Sequence, residues 1–137
     1  METAGINIFT YGSLMFRPVW ERVVRGNYRS TPASAFGYAR YAITGQTYPG
    51  MVQQANASVQ GLLYRDVTAE DIAALDAFEG DAYRRDCLHV TLDGGAETAA
   101  STYIYTAKTG LSDMAWQPGA FQVTHFVNLH CHDRLDK

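Results

Sequence analysis

The clearest element in this sequence is a helix, and it stands among segments with strand character. The helix is predicted from Val67 to Gly80. Thr68 is a good N-cap, Glu70 and Asp71 fall in the first turn, where the helix dipole favours anions, and Gly80 is a natural stop. Because such a helix must bury its apolar side against another element, it is expected to pack on a sheet.

Strand-forming segments occupy most of the rest of the chain, and a turn signal, Asp93-Gly94-Gly95, joins the last two as a hairpin. The interrupting Gly61 suggests a bend or bulge in the third of them. The predicted strands are Ile6–Thr10, Pro32–Thr44, Ser58–Asp66, Tyr83–Leu92 and Thr98–Thr106. Together with the helix, they indicate one α+β domain with a mixed, partly antiparallel sheet.

Three further segments complete the prediction. A short helix is expected from Pro18 to Val24, with proline in its first turn, and a final helix from Trp116 to about Cys131. The segment Gly45–Asn56 is interpreted as a loop, because it contains Tyr48-Pro49-Gly50.

The bulk properties favour an ordinary soluble globular protein. The 137 residues are 47% hydrophobic and 18% charged, which is enough for one domain with a core. A net charge of −3 argues against nucleic-acid binding. Two distant cysteines, no signal-peptide pattern and no apolar run of about 20 residues predict a cytoplasmic protein that does not interact with membranes.

The loop Tyr11-Gly12-Ser13-Leu14 comes directly after the first strand and has two interpretations. Glycine turns the chain sharply or lets a ligand approach the backbone, and free N–H groups at a strand end can bind a carboxylate or an oxyanion. The plainer interpretation is a tight turn between the first strand and the next element of the chain.

Glu79 is the most informative single residue. It lies seven positions after Ile72 and four after Leu75, so helical geometry directs it along the apolar side. Burial and the negative end of the helix dipole both raise a carboxyl pKa, which suits a group that takes and gives a proton. The alternative is a frayed helix end in which Glu79 turns outward or pairs with Arg84 or Arg85.

Other catalytic and binding patterns are weaker. Ser13 lacks the G-x-S-x-G elbow that a serine nucleophile would favour. The group His125, His130, Cys131 and His132 lacks a recognisable zinc spacing and is interpreted as a solvated helix end. The sequence has no nucleotide-binding glycine motif, so no metal or cofactor is predicted.

Five short segments, in this order, resemble the γ-glutamylcyclotransferase-like superfamily, most closely its AIG2-like branch. The similarity runs from about Ile6 to Tyr105, and the Trp116–Phe121 segment is also typical. The five segments are Phe9-Thr10-Tyr11-Gly12-Ser13-Leu14-Met15, Tyr48-Pro49-Gly50, Val59-Gln60-Gly61-Leu62-Leu63-Tyr64, Leu75-Asp76-Ala77-Phe78-Glu79-Gly80 and Tyr83-Arg84-Arg85.

The resemblance implies a small mixed, mostly antiparallel β-barrel with helices packed outside. It also implies a cavity whose floor is the Tyr11–Leu14 loop, with Glu79 as the general acid/base, Tyr83 and Tyr105 on the walls and Tyr48 at the rim. Characterised family members convert γ-glutamyl compounds to 5-oxoproline and an amine or amino acid, without a cofactor.

Three hypotheses therefore stand at this point. The first is a cyclotransferase acting on a small γ-glutamyl substrate, with the protein a monomer or weak homodimer. The second is a non-catalytic module that binds a small anionic metabolite in the same cavity, and the third is a related acyl-transfer or lyase step. The Tyr-Gly-Ser-Leu loop and the short spacing from Glu79 to Tyr83 separate the chain from the glutathione-pathway enzymes of the family.

Overall fold

The computed structural model describes residues 5–46, 48–107, 109–116 and 118 of the chain. A 3-10 turn, Ser13–Met15, comes after the first strand. The other elements, in chain order, are β1 (Ile6–Thr10), α1 (Arg17–Val23), β2 (Ser30–Ile43), β3 (Pro49–Val67), α2 (Ala69–Glu79), β4 (Tyr83–Leu92), β5 (Glu97–Tyr105) and β6 (Leu111–Ala115).

Five of the strands close into a barrel. The order β3-β1-β5-β4-β2 returns to β3 through a long antiparallel pairing between β2 and β3, and β6 extends the sheet beside β2. The β1–β5 pairing is parallel and the other ladders are antiparallel. The expected mixed, mostly antiparallel barrel with helices outside is confirmed, and neither described helix has the length and apolar character needed to cross a membrane.

The core has two parts that separate the barrel interior from the helix layer. The interior cluster draws on all five barrel strands, including Phe9, Met51 and Val90. The second cluster joins α1 and α2 to the outside of the barrel, where the ring of Trp20 stacks on that of Tyr64 at 3.7 Å. Both helices therefore pack against the outside of the barrel.

Most of the local predictions are confirmed. The bounds of β1 and β4 are as predicted, and α2 begins after Thr68, whose hydroxyl accepts the Asp71 N–H at 3.2 Å. The helix ends at Gly80, which adopts a positive φ of 80°. The expected hairpin joins β4 and β5, with a positive φ of 94° at Gly95.

The predicted loop Gly45–Asn56 is wrong. Residues from Pro49 onward are already strand β3 and pair with β2, for example Gly50 with Tyr41. Proline is tolerated as the first residue of a strand. Glycine is needed at position 50 for space, because a Cβ there would lie 2.7 Å from the ring of Tyr105.

Two further differences concern the position of the register shift between β2 and β3 and a strand that the sequence did not predict. The pairing of β2 with β3 is regular at Gly61, and its shift lies between Phe36 and Tyr38, where Gly37 has a φ of 88°. The strand β6 was not predicted from the sequence. The predicted helix Trp116–Cys131 lies, after its first residues, outside the described part of the chain.

Candidate active site

A cavity of about 210 Å³ lies where the end of β1 meets the end of α2. Among the described residues around it, four are tyrosines and one, Glu79, carries a charge. The lining residues are Phe9, Thr10, Tyr11, Gly12, Ser13, Leu14, Tyr48, Pro49, Phe78, Glu79, Tyr83 and Tyr103. The structure thus brings together seven of the eight residues that the sequence marked for a site.

The loop after β1 forms one side of this cavity. The N–H of Met15 donates to the oxygen of Gly12 at 2.9 Å, which closes a single 3-10 turn, and Ser13 and Leu14 are buried. The first N–H groups of such a turn have no acceptor within it. Arg40 fixes the loop from behind, since its guanidinium donates to the Tyr11 carbonyl at 2.8 Å.

Glu79 is the last residue of α2, and it is half-buried. Its charge is close enough to four phenols to contribute to raising their pKa values. Arg84 pairs instead with Asp86 at 2.7 Å, and Arg85 pairs with Asp76 at 2.9 Å. Glu79 lines the same cavity as the loop, and its acid/base role stays a prediction.

Three tyrosines of the lining donate their hydroxyl protons to the protein. Tyr11 donates to the carbonyl of Tyr103 at 2.5 Å, and Tyr83 donates to the carbonyl of Pro49 at 2.8 Å. Tyr103 donates to Asp76 at 2.7 Å. Each of these phenol oxygens keeps lone pairs that can accept from an amine or amide N–H.

The same phenols remain neutral over the whole physiological range. Burial is the largest cause that raises the pKa of Tyr11, Tyr83 and Tyr103 well above that of free tyrosine. For Tyr11 and Tyr83, the second cause is the charge of Glu79. The phenols of the cavity wall are therefore neutral, and Glu79 is the charged side chain among the described lining residues.

Tyr48 and Tyr105 stand in different positions. Tyr48 contributes to the lining, and burial raises its pKa, followed by the effects of Tyr105 and Glu79. Tyr105 lies behind the wall rather than in it. Its ring packs edge-on against Tyr83 at 5.4 Å, and its hydroxyl donates to the Thr109 carbonyl at 2.8 Å. In this structure Tyr105, which was expected to bind substrate, does not line the cavity and packs against Tyr83.

The sequence did not mark five of the lining residues: Phe9, Thr10, Pro49, Phe78 and Tyr103. A signal existed for two of them. Phe78 directly precedes Glu79 on the helix. Tyr103 lies two residues before Tyr105, on the same face of β5. Thr10 is held by a hydrogen bond from its hydroxyl to the Leu62 carbonyl at 3.1 Å, which no local pattern indicates.

In the part of the chain that the structure describes, no three side chains of the metal-ligating types His, Cys, Asp and Glu come together. The cavity itself holds one carboxylate and several hydroxyl and backbone groups. The histidine group near Cys131 lies outside the described residues.

The family comparison covers most of the chain. A family model described as gamma-glutamyl cyclotransferase, AIG2-like, matches residues 8–119. Among curated proteins, Protein AIG2 C of Arabidopsis thaliana is 28% identical over 103 residues, which are 74% of this chain and 62% of that protein. The chain thus spans about 62% of the length of this relative.

Solved structures share the fold. The solution structure of an Arabidopsis thaliana protein superposes with a TM-score of 0.73 at 23% identity, covering 99% of this chain and 89% of that one. A structure named gamma-glutamyl cyclotransferase superposes with a TM-score of 0.65 at 16% identity, over 78% of this chain and 68% of that one. At these identities the superpositions demonstrate the barrel and its helices.

Proposed function

The chain belongs to the gamma-glutamyl cyclotransferase, AIG2-like family, and from this premise we propose that it cyclises a small γ-glutamyl compound to 5-oxoproline and releases an amine or amino acid. The observation that carries the proposal is the shared cavity. One carboxylate, Glu79, and one backbone turn, Gly12 to Leu14, line the same space of about 210 Å³.

The reaction is a transfer within one molecule. The α-amine of the γ-glutamyl group attacks its own γ-carbonyl, a new C–N bond closes the five-membered ring, and the original amide C–N bond breaks. Glu79 takes a proton from the attacking nitrogen and returns it to the departing nitrogen, so protons balance. Both reacting groups belong to one substrate. A cavity that holds this substrate in a bent conformation brings the two groups together, which provides much of the rate enhancement.

The Gly12–Leu14 turn would stabilise the negative charge on the former carbonyl oxygen. Its residues line the cavity, and the Arg40 contact holds the loop in place before the substrate arrives. Donors that are already oriented need no reorganisation during the reaction, and one such donor is typically worth about 10²- to 10³-fold in rate. In this assignment the backbone of Ser13 matters more than its hydroxyl.

The test begins with the substrate. Wild-type protein is incubated with a panel of γ-glutamyl amines and γ-glutamyl peptides, and 5-oxoproline is measured by mass spectrometry. Substitution Glu79→Gln keeps the shape of the side chain and removes the base. We expect 5-oxoproline release to fall by about 10²- to 10⁴-fold, while calorimetry shows binding of the same compound within a few-fold of wild type.

Glu70→Gln is the matched control, because Glu70 is itself exposed in the first turn of the same helix and does not line the cavity. Its release rate should equal that of wild type. Binding of γ-glutamyl compounds without any 5-oxoproline release by wild type would refute the cyclotransferase. It would favour the alternative, a module that binds a small anion in this cavity.

A further inference from the structure

The last turn of α2 carries Glu79, and one side chain of that turn is tied to two strands. Asp76 accepts a hydrogen bond from the Tyr103 hydroxyl on β5 at 2.7 Å. It also accepts from the Arg85 guanidinium on β4, with Nε to Oδ1 at 2.9 Å and Nη2 to Oδ2 at 3.4 Å. The carboxylate of Asp76 therefore links the helix end to both strands of the hairpin.

This link lies in the last turn of the helix. The fully buried anchor of α2 is Leu75, and the side chains after it in the helix are only half-buried or exposed. The Gly80 N–H closes the helix on the Asp76 carbonyl at 3.1 Å, and the chain then leaves the helix at once. Helix ends fray unless side chains hold them, and the attachment at Asp76 is one of the contacts that hold this end, together with the packing of Phe78 on the core.

Tyr103 also contacts the loop that lines the other side of the cavity. The hydroxyl of Tyr103 binds Asp76, while the backbone carbonyl of Tyr103 accepts the Tyr11 hydroxyl at 2.5 Å. Tyr11 begins the loop that lines the cavity, and both tyrosines are buried. One residue of β5 thus connects the helix end with the loop.

We infer that Asp76 is a positioning residue: joined to Arg85 and Tyr103, it holds the Glu79 carboxyl at a fixed distance from the Gly12–Leu14 turn. This inference rests on the proposed cyclotransferase function for its kinetic consequence. Its geometric content, the dependence of the Glu79 position on Asp76, is independent of any activity.

A merely stabilising role predicts a different outcome. The Asp76 and Arg85 side chains are 42% and 34% exposed, and ion pairs at such sites contribute little to stability. A displacement of a catalytic group by about 1 Å, in contrast, can cost about 100-fold in rate. Loss of the link should consequently lower kcat strongly, while the melting temperature changes little.

Two substitutions that remove charges of opposite sign distinguish a positioning role from a direct electrostatic effect on Glu79. Asp76→Ala removes a negative charge near Glu79, and Arg85→Gln removes a positive one, so their direct electrostatic effects on Glu79 oppose each other. Asp76→Ala breaks both parts of the link, whereas Arg85→Gln breaks only the part that reaches β4. We expect Asp76→Ala to lower kcat by about 10- to 100-fold and Arg85→Gln to lower it by a smaller factor, both with KM within about twofold. Asp76→Asn, which still accepts from the Tyr103 hydroxyl, should recover part of the loss.

Arg84→Gln is the matched control for Arg85→Gln, since Arg84 is adjacent on β4, exposed and paired with Asp86 at 2.7 Å. Its kcat should equal that of wild type. Opposite changes in kcat for Asp76→Ala and Arg85→Gln would overturn the inference in favour of a charge effect. A fall in melting temperature with unchanged kcat per folded molecule would overturn it in favour of a structural role.

Crystal structures of wild type and Asp76→Ala decide the inference even if no γ-glutamyl compound is turned over. We expect the Glu79 carboxyl to move away from the Ser13 N–H, or to lose its single position, in the variant. An unchanged Glu79 would overturn the inference whatever the activity. An inactive wild type with a displaced Glu79 in the variant would refute the proposed function and leave the positioning role standing.

Discussion

At the scale of single residues, Gly12 sets how closely the cavity loop approaches β3. Its φ of −131° lies outside the left-handed region that favours glycine. The glycine is required for space, because a Cβ would lie 2.8 Å from Cδ and 2.9 Å from Cγ of Pro49. The proline ring cannot rotate away as a long side chain would, and an alanine here must displace the loop.

We therefore expect Gly12→Ala to lower the rate of 5-oxoproline release by about 10- to 100-fold, since the N–H donors of the loop would shift by a fraction of an ångström to about 1 Å. The free energy of unfolding should fall by only about 1 kcal/mol, because the contact is at the cavity edge and not in the core. Steady-state kinetics and urea unfolding measure the two effects.

Gly94→Ala provides the control, because a Cβ at Gly94 in the β4–β5 turn meets open space. It should leave both measurements unchanged. A Gly12→Ala variant with the activity of wild type would show that the loop does not contribute donors to the reaction.

Residue patterns predicted part of this site and could not predict the rest. Spacing along one helix placed Glu79 toward the apolar side, and a Gly-Ser turn after a strand marked the loop. The contact of Gly12 with Pro49 joins residues 37 positions apart in the sequence, and no local pattern encodes it. Arg40 likewise reaches the Tyr11 carbonyl from β2, and its role appears only once the barrel is closed.

At the scale of elements, α2 is attached near both ends by aspartates, and the attachment at its start involves Asp71. This carboxylate is 3% exposed and accepts from the Arg25 N–H at 2.9 Å, the Gly26 N–H at 3.0 Å and the Tyr28 hydroxyl at 2.6 Å. The sequence predicted Asp71 only as a first-turn anion. It also organises the segment after α1, which helical periodicity cannot show.

These contacts make stability depend on pH in a definite direction. Burial by itself raises the pKa of Asp71, but the hydrogen bonds from Tyr28, Arg25 and Gly26 outweigh it, and the net pKa is lowered. A carboxyl whose pKa is lower in the folded state contributes stability above its unfolded pKa, near about 4. That contribution is lost as pH falls through the folded value.

Asp71→Asn keeps the size of the side chain and removes the charge. We expect it to lower the free energy of unfolding by about 2 kcal/mol at pH 7, because charge-assisted hydrogen bonds are lost. The difference from wild type should shrink as pH falls below about 4. Urea unfolding at a series of pH values measures both effects. Asp93→Asn, in the exposed β4–β5 turn, should show neither, and a pH-independent deficit in Asp71→Asn would contradict the electrostatic explanation.

Element boundaries show the same division between local and non-local causes. Strand β4 and helix α2 carry their own signals, in alternation and in caps, and were predicted to within two residues. The start of β3 was missed because Tyr48-Pro49-Gly50 resembles a turn locally. The pairing of β3 with β2 and the close approach of Tyr105 to Gly50 override that preference.

At the scale of the whole molecule, the five-residue strand β1 closes the barrel. It pairs antiparallel with β3 and parallel with β5, so it joins the first third of the chain to the last. The strand patterns alone indicated a mixed sheet in an α+β domain, and the closed barrel was expected from the family resemblance. Strand order depends on pairings between distant segments, which periodicity within one segment does not report.

Gly61 lies at the seam where β1 meets β3, and it gives the sharpest test of this closure. A Cβ at Gly61 would lie 2.1 Å from the Thr10 carbonyl oxygen and 2.9 Å from the Phe9 ring. The nearest of these atoms belongs to the backbone, so relief requires β1 to move away from β3. Because Phe9 and Thr10 also line the cavity, a movement of β1 away from β3 would displace part of the cavity lining.

We expect Gly61→Ala to lower the free energy of unfolding by about 3 kcal/mol or more, at the upper end of the cost of overpacking a core. The fraction that remains folded should release 5-oxoproline more slowly, because the start of the cavity loop moves with β1. Urea unfolding gives the first quantity, and kinetics corrected for folded protein gives the second. A loss of stability with no loss of rate per folded molecule would mean that the cavity is held by α2 and β5 independently of the seam. A variant as stable as wild type would mean that β1 and β3 are not in close contact at Gly61.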